Sequence, residues 1–281
     1  MSTTSPEQGA TAPAPADLAP PTAPDRPSAR RPEPAPAPRI RRILAHTVLE
    51  ARILLSNGEQ LLVAIALPAM VLIGLRLLPI GRLEGAQPIE TALAATLGTA
   101  LISTSFTSQA IQTGFDRRNG VLRWVATTPL GRDGYLAGKI LATLLVHVVQ
   151  VLVLGLLGVI LGWRPNLLEL LAVVPVWLLG TIAFGSLGLL VAGLLRTEAV
   201  LAVSNLVFVI LVAAGGIAFP TSSYPRLLHS LVDLLPSGAL GELLRACLAG
   251  GDVTGGSIIV LVLWAAGGSL AVARWFRWTS V

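Results

Sequence analysis

Long apolar runs separated by short polar segments dominate the chain after residue 58. A helix needs about 17–25 mostly apolar residues to cross the hydrocarbon core of a bilayer. Six runs approach that length, at residues 59–78, 89–111, 140–161, 168–194, 200–218 and 254–272. The pattern therefore predicts an all-α membrane protein with six transmembrane helices, in a domain covering residues 58–281.

Two of these runs carry features that are unusual for a membrane helix. Pro68 interrupts the first run and predicts a kink, which is tolerated where a neighbouring helix donates to the carbonyl that the proline leaves free. The second half of the second run is polar and contains Ser103, Thr104, Ser105, Thr107, Ser108 and Gln109.

The N-terminal 38 residues have a different composition. They hold eleven of the twenty prolines, many of them alternating with alanine. Such a segment has little large apolar surface to bury, which predicts a disordered, cytoplasmic tail at residues 1–38. It also lacks the apolar stretch of a cleaved signal peptide, so we do not expect it to be one.

Residues 39–57 have the periodicity of an amphipathic helix. One helical stripe holds Ile40, Ile43, Leu44, Thr47, Val48, Ala51 and Leu55, and basic residues lie mostly on the other faces. A helix of this kind tends to lie in the membrane interface. The pattern therefore predicts an interfacial helix at residues 39–57, and the alternative is a helix that extends the first span into the cytosol.

Composition agrees with membrane insertion. The chain is 53% hydrophobic and only 12% charged, whereas soluble domains carry about 25% charged residues. The net charge of +5 comes from basic residues scattered among short loops. That distribution does not form the basic face that binds nucleic acid, so we expect no nucleic-acid partner. The single cysteine, Cys247, excludes an intrachain disulfide.

The basic residues predict the orientation of the chain. Outside the tail, twelve Lys and Arg residues lie on one predicted side of the membrane and five on the other. Cytoplasmic loops are enriched in Lys and Arg, so both termini and the loop between the second and third spans are predicted to be cytoplasmic. Trp275 and Trp278 would then anchor the last span at the inner interface.

The segment FDRRNGVLRWVATTPLGRDGYLAGK, residues 115–139, is the most highly charged part of this region. Asp116 is a candidate N-cap for a short helix over 117–127 that Pro129 ends. Arginine and tryptophan are enriched where protein interfaces carry most of their binding energy, which favours a docking helix. The composition alone is equally compatible with arginines that only fix the topology and a Trp124 that rests at the lipid surface.

Catalytic motifs are weak in this sequence. Residues 134–140 approach a phosphate-binding loop but lack its spacing and its Ser or Thr. His and carboxylate residues do not have metal-ligand spacing. An intramembrane serine hydrolase with Ser186 as nucleophile and His147 as base is one alternative function. An ion-coupled secondary transporter is another, although it predicts buried carboxylates and an internal repeat that the spans lack.

Residues 115–139 resemble the loop between the second and third spans of ABC-2-type permeases, the membrane subunits of a class of ATP-binding-cassette exporters. That family often has the stretch E-R-x-x-G-T-L-x-x-L-x-x-T-P. The matching positions here are Asp116, Arg117, Gly120, Val121, Leu122, Val125, Thr128 and Pro129. Asp stands for the usual Glu and Val121 for the usual Thr. Residues 219–251 also resemble the family's two short re-entrant helices between the last two spans.

The resemblance implies a permease of an exporter in the plasma membrane, moving drug-like or lipid-like compounds. A separate ATPase subunit would bind ATP and Mg²⁺, this chain would bind no cofactor, and a second permease, identical or paralogous, would complete the transporter. The cytoplasmic helix between spans two and three would couple the permease to the ATPase. Its candidate residues are Asp116, Arg117, Arg118, Gly120, Leu122, Arg123, Trp124 and Pro129.

Four polar residues within the spans are candidates to line a translocation path. They are Ser105, Gln109, His147 and Asn205. Ionisable groups inside membrane helices usually mark function, and here nearly all of them lie at helix ends. Hydrogen bonding between helices is the alternative role for each of the four.

Overall fold

The computed structural model describes residues 37–56, 58, 62–77 and 89–278. The predicted N-terminal tail therefore lies outside the described residues, apart from its last two positions. Within the described residues the regular structure is helical throughout. The α-helices are α1 (Arg39–Ser56), α2 (Leu67–Leu77), α3 (Ile89–Ile102), α4 (Gln109–Arg118), α5 (Val121–Thr127), α6 (Gly131–Ile160), α7 (Leu167–Leu194), α8 (Thr197–Ala213), α9 (Arg226–Leu234), α10 (Pro236–Ala249) and α11 (Gly255–Trp275).

Two π-helical segments interrupt this series. The segment π1 (Leu62–Ala66) leads into α2, and π2 (Ser103–Ser108) joins α3 to α4. A π-helical turn widens the helix and shifts its side chains, and such turns are frequent at functional sites. π1 stands immediately before Pro68, where the missing amide N–H disrupts the ordinary α-helical pattern.

In the part of the chain that the structure describes, four helical stretches are long and apolar enough to cross a membrane: Ile89–Arg118, Gly131–Ile160, Leu167–Leu194 and Gly255–Trp275. They contain the predicted second, third, fourth and sixth spans. The second continues to Arg118 instead of ending at Ile111, and the third begins at Gly131, nine residues before Ile140. These extensions carry the two helices beyond the apolar run, because helical hydrogen bonding continues into the polar loop.

The predicted first and fifth spans correspond to shorter helices in the described residues. The first lies partly outside them and is represented by π1 and α2. The fifth, α8, ends at Ala213 rather than Ala218, and Gly216 follows with a left-handed φ of 86°. Within the described residues the structure therefore supports four spans, or five if the bent pair α9 and α10 is one, and the predicted count of six stays a prediction.

The predicted pair of re-entrant helices coincides with α9 and α10. They meet at an angle of 90°, and Pro236 is the first residue of α10. α10 packs deeply between its neighbours: a Cβ on Gly180 would lie 3.0 Å from Leu240, and one on Gly98 would lie 3.3 Å from Leu244. The pair is thus a bent element that packs on α3 and α7, as a re-entrant loop or a broken span would.

The connection from α8 to α9 is held by Arg245 of α10. Its guanidinium donates to the carbonyls of Ile217 (3.1 Å) and Gly216 (2.7 Å) and contacts Glu242 at 3.0 Å. The Glu242 carboxylate also accepts from the backbone N–H of Thr221 at 3.0 Å. One buried arginine therefore satisfies two carbonyls of the turn that follows α8.

Helix α1 runs beside the first half of α6. Neighbouring residues occur in the same order along both helices: Ile43 with Gly134, and His46 with Gly138. Further on, Ala51 and Leu54 share a buried cluster with Ala142 and Val146. The two helices are therefore parallel neighbours, and the interfacial position of α1 stays a prediction. Ile40, Leu44 and Val48 remain exposed.

Candidate functional site

The predicted docking helix is shorter than expected and begins later. α4 continues through Asp116 and ends at Arg118, Asn119 is its C-cap, and Gly120 turns the chain with φ 77°. α5 then covers Val121–Thr127. The prediction of one helix over 117–127 with Asp116 as N-cap is therefore wrong. The Asn119–Gly120 pair is the stronger local signal, since glycine adopts left-handed φ at little cost.

Helix α5 has one buried and one exposed face. Leu122 (0% exposed) and Val125 (4%) are buried in a cluster with Tyr135, Leu189, Val272 and Phe276. On the other face Trp124 is 69% exposed, and Arg123 beside it is also exposed. Leu122 therefore anchors the helix, while Arg123 and Trp124 point away from the chain.

The remaining predicted coupling residues also divide into exposed and buried ones. Arg118 and Pro129 are exposed near α5, and Arg118 contacts Glu198 at 3.0 Å. Arg117 is buried: it donates to the carbonyl of Gly193 at 2.6 Å and to that of Leu195. Arg117 thus satisfies the carbonyls at the end of α7 and is not on the exposed face. We call Arg118, Arg123, Trp124 and Pro129 the docking face.

Asp116 belongs to a cluster of charged and aromatic side chains beneath α5. Its carboxylate accepts from the Tyr135 hydroxyl at 2.7 Å and contacts the Lys139 ammonium at 2.8 Å. Lys139 also contacts Glu50 of α1 at 3.3 Å. We call Glu50, Asp116, Tyr135 and Lys139 the charge cluster. It joins α1, α4 and α6, and the sequence pattern singled out only Asp116 among its members.

His46 borders the charge cluster. Its ring stacks on Tyr135 with centroids 5.3 Å apart, and its Nε2 lies 3.7 Å from the carboxylate of Glu50. Burial lowers the pKa of His46 below its usual range, and the opposing effect of Glu50 is smaller. The ring is therefore neutral at physiological pH, and the cluster's cation is Lys139.

The last described residues, at the C-terminal end, pack against the cluster that holds α5. The ring of Phe276 occupies the space beside Gly193, where a Cβ would clash with it. Trp278 meets Tyr135 edge-on at 6.2 Å, and the Arg132 guanidinium lies 5.2 Å from the Trp278 ring. Trp278 thus packs against the first turns of α6, whereas Trp275 is exposed as a lipid anchor would be.

A second polar group lies in the membrane core. His147 is 1% exposed; its Nε2 is 3.3 Å from the Ser105 hydroxyl and its Nδ1 is 3.1 Å from the Thr181 hydroxyl. The Thr181 hydroxyl also donates to the Trp177 carbonyl at 2.8 Å. That bond uses its only proton, so we infer that Nδ1 of His147 donates to Thr181 and Nε2 accepts from Ser105.

The other candidates for the translocation path lie apart from His147. The Gln109 amide lies 3.2 Å from the Thr143 hydroxyl, one turn of α6 away from His147. Asn205 is exposed in the middle of α8. Ser105, Gln109 and His147 therefore make hydrogen bonds between helices, which is the alternative role that the sequence allowed.

Ser186 and His147 do not form the nucleophile and base pair that an intramembrane hydrolase would need. The Ser186 hydroxyl donates to the Ala183 carbonyl at 2.9 Å within its own helix, and it faces Gly268 of α11. Both nitrogens of His147 are engaged with Ser105 and Thr181. A nucleophile needs a base within hydrogen-bonding reach, and this pair lacks that contact.

Gln150 of α6 was not recognised from the sequence. It is fully buried, and its amide nitrogen donates to the Ala64 carbonyl and to the Thr104 hydroxyl, both at 2.8 Å. The signal was present in the sequence, since Gln150 is a lone amide within the apolar run at 140–161. Its partners are 86 and 46 residues distant, so they could not be read from spacing.

Comparison with known proteins adds a family relationship to this geometry. A family model described as "ABC-2 type transporter" matches residues 49–248. The chain is also similar to a Bacillus subtilis (strain 168) protein named "Putative transport permease YvfS". The two are 24% identical over 174 residues, which cover 59% of this chain and 68% of that relative. The region matched by the family model contains the docking face and the polar residues of the membrane core.

Proposed function

Since that match covers most of the chain, the protein belongs to the ABC-2 type transporter family, and from this premise we propose that it is the permease subunit of an ATP-driven exporter. Permeases of this family are membrane components of transporters and are not themselves catalytic. In our proposal a separate ATPase subunit binds ATP and Mg²⁺ and docks on the cytoplasmic side of this chain. The observation that carries the proposal is the exposure of Trp124 on a helix whose opposite face is buried.

The docking face has the chemistry of a protein interface. Tryptophan and arginine supply much of the binding energy at such interfaces, and a large exposed tryptophan is costly to leave in water. Trp124 stands between Arg123 and Thr127, and the Thr127 hydroxyl donates to the Trp124 carbonyl at 2.7 Å. The short helix is therefore capped and presents its tryptophan in a defined position.

Movement at the docking face would be transmitted through buried contacts. Leu122 and Val125 seat α5 on Tyr135, and Tyr135 is bonded to Asp116 at the end of α4. Asp116 and Lys139 then connect α4 with α6, and Lys139 connects α6 with α1. ATP can shift the permease between two states only if it favours one of them, and this requires such a rigid connection.

We further propose that the transporter contains a second permease copy seated on α8. The exposed stripe of α8 consists of Leu201, Ala202, Asn205, Leu206, Val209, Ile210 and Ala213. Its only amide, Asn205, lies halfway along the helix, where lipid would leave its polar atoms without partners. A two-fold axis would bring Asn205 opposite the same residue of the second copy and satisfy both amides.

The transported compound in this proposal is amphipathic, either drug-like or lipid-like, and leaves through the plasma membrane. The charged side chains near the predicted path cluster at the end of the helices that carries α5, while the core polar groups are neutral hydroxyls, amides and His147. Such a path suits a partly apolar molecule better than a small ion. Both termini are cytoplasmic in this arrangement, as the distribution of basic residues predicts.

Substitutions on the docking face test the proposal. When the full-length chain is purified from native membranes, an ATPase should co-purify with it, recognisable by the motif GxxxxGK followed by Ser or Thr. We expect Trp124→Ala and Arg123→Glu to lower its recovery at least about tenfold, since hot-spot residues contribute about 2 kcal/mol or more. Trp275→Ala removes a similarly exposed tryptophan outside the docking face and should change nothing.

The control separates loss of docking from loss of folding. All three variants should elute at the same volume in detergent, because the substituted side chains are exposed. Recovery of the ATPase undiminished by both Trp124→Ala and Arg123→Glu would contradict docking at α5. Equal loss with Trp275→Ala would indicate a broader contact surface than the one proposed.

A further inference from the structure

Pro68 cannot give the Ala64 carbonyl its α-helical hydrogen bond. In an α-helix the carbonyl of residue 64 accepts from the N–H of residue 68, and residue 68 is a proline with no N–H. Ala64 and Pro68 are both buried, so the carbonyl has no access to bulk water. Backbone polar groups inside a membrane need partners within the protein, so a donor from another helix would stabilise this carbonyl.

Gln150 of α6 supplies that donor. Its Nε2 lies 2.8 Å from the Ala64 carbonyl oxygen, and the second N–H of the same amide reaches the Thr104 hydroxyl at 2.8 Å. A carbonyl can only accept, so the amide must present its nitrogen to Ala64 and the orientation of the side chain follows. The single side chain thereby connects π1 with π2, which lie on different helices.

We propose that Gln150 is a positioning residue that supplies the hydrogen bond Pro68 cannot make and fixes π1 and α2 against π2. The contact of Gln150 with Ala64 and Thr104 is called the Gln150 pin. This contact gives π1 and α2 a defined position relative to π2 and α6. Because both π segments meet at one amide, the first helix and the polar half of the second move together with α6.

A double-mutant cycle with Pro68 tests the pin directly. Gln150→Met keeps the volume and removes the donor, and it should lower the melting temperature in detergent by about 2–4 °C. Pro68→Ala restores an N–H to the Ala64 carbonyl. In that background Gln150→Met should cost clearly less, since the carbonyl no longer depends on the amide.

Gln109→Met is the matched control. It removes another buried amide of similar size, one that bonds Thr143 and has no contact with Ala64. Its effect on the melting temperature should be the same in the parent chain and in the Pro68→Ala background. If the cost of Gln150→Met is also the same in both backgrounds, the pin is refuted.

Spin-label distances give a second measurement that does not need the Pro68→Ala variant to fold. Nitroxides at Met70→Cys on α2 and Leu156→Cys on α6, both exposed positions, are placed in a Cys247→Ala background. We expect one narrow distance distribution in the parent, a broader or shifted one with Gln150→Met, and no change with Gln109→Met. A distribution unchanged by Gln150→Met overturns the proposal. Neither measurement involves an ATPase, so the pin and the exporter function can fail separately.

Discussion

Lys139 is the residue on which the polar contacts beneath α5 converge. Its side chain is 3% exposed and stands between the carboxylates of Asp116 and Glu50, at 2.8 Å and 3.3 Å. Those carboxylates belong to α4 and α1. Without the Lys139 ammonium between them, the two negative charges would repel each other. Buried ion pairs are costly to break, because removing one partner leaves an uncompensated charge.

Lys139→Met should therefore lower the free energy of unfolding by about 3 kcal/mol. The comparison is Arg118→Met, which removes the exposed pair with Glu198, where both side chains are more than half exposed. That variant should cost about 0–1 kcal/mol, as surface ion pairs do. Thermal unfolding of both variants in the same detergent checks the difference. Equal effects would mean that Lys139 is not the cation that holds the cluster together.

Arg117 shows where residue-level prediction from the sequence stops. Its charge within an apolar chain marked it as a docking residue, and the resemblance to the family motif supported that role. The structure instead buries it against the carbonyls of Gly193 and Leu195, 76 and 78 residues further along the chain. Whether a carbonyl at the end of a distant helix lacks a partner is a property of the tertiary packing, which no local pattern encodes.

At the scale of the element, the turn at Gly120 separates the membrane helix from the docking helix. Gly120 has φ 77°, and a Cβ built there would meet nothing within 4 Å. The requirement for glycine is therefore conformational and not steric. Without this turn α4 would continue straight through residue 120, and Trp124 would have a different direction.

Gly120→Ala should destabilise the protein by about 1 kcal/mol, since a left-handed φ is unfavourable for alanine. Gly120→Asn should cost only a few tenths, because asparagine tolerates this conformation. Gly267→Ala, in the interior of α11 with equally open space, should cause no loss of stability. Melting curves of the three variants check the order. A larger loss with Asn than with Ala would show that space rather than φ is limiting.

The predictability of the elements follows the strength of their periodicity. The predicted fourth and sixth spans nearly coincide with α7 and α11, whose limits are set by an Asn166 capping box and by clear apolar runs. The second and third spans were predicted too short, because each helix continues beyond its apolar run into the polar loop between them. The predicted fifth span was too long at its end, because the glycines at 215 and 216 leave the run apolar while breaking the helix.

At the scale of the whole molecule, the unevenly exposed helix surfaces indicate what surrounds the chain. Exposed leucines on α6, α7 and α11 are what a lipid-facing surface requires. The stripe on α8 differs because Asn205 stands at its centre. An exposed amide in hydrocarbon is unfavourable on its own and becomes favourable when a second helix supplies a partner. The position of one polar residue thus distinguishes the side proposed for a second copy from the sides that face lipid.

Cysteine cross-linking tests this assignment in a Cys247→Ala background. Asn205→Cys should form a disulfide-linked dimer on mild oxidation in membranes, because a two-fold contact brings identical residues within disulfide range. Ser204→Cys is buried within the chain and Leu263→Cys is exposed in the middle of α11, so neither should cross-link. Val209→Cys, one turn along the stripe, should cross-link more weakly. A dimer linked through Leu263→Cys and not through Asn205→Cys would place the second copy on α11. The proposed export function would survive that result, whereas the role of the α8 stripe would not.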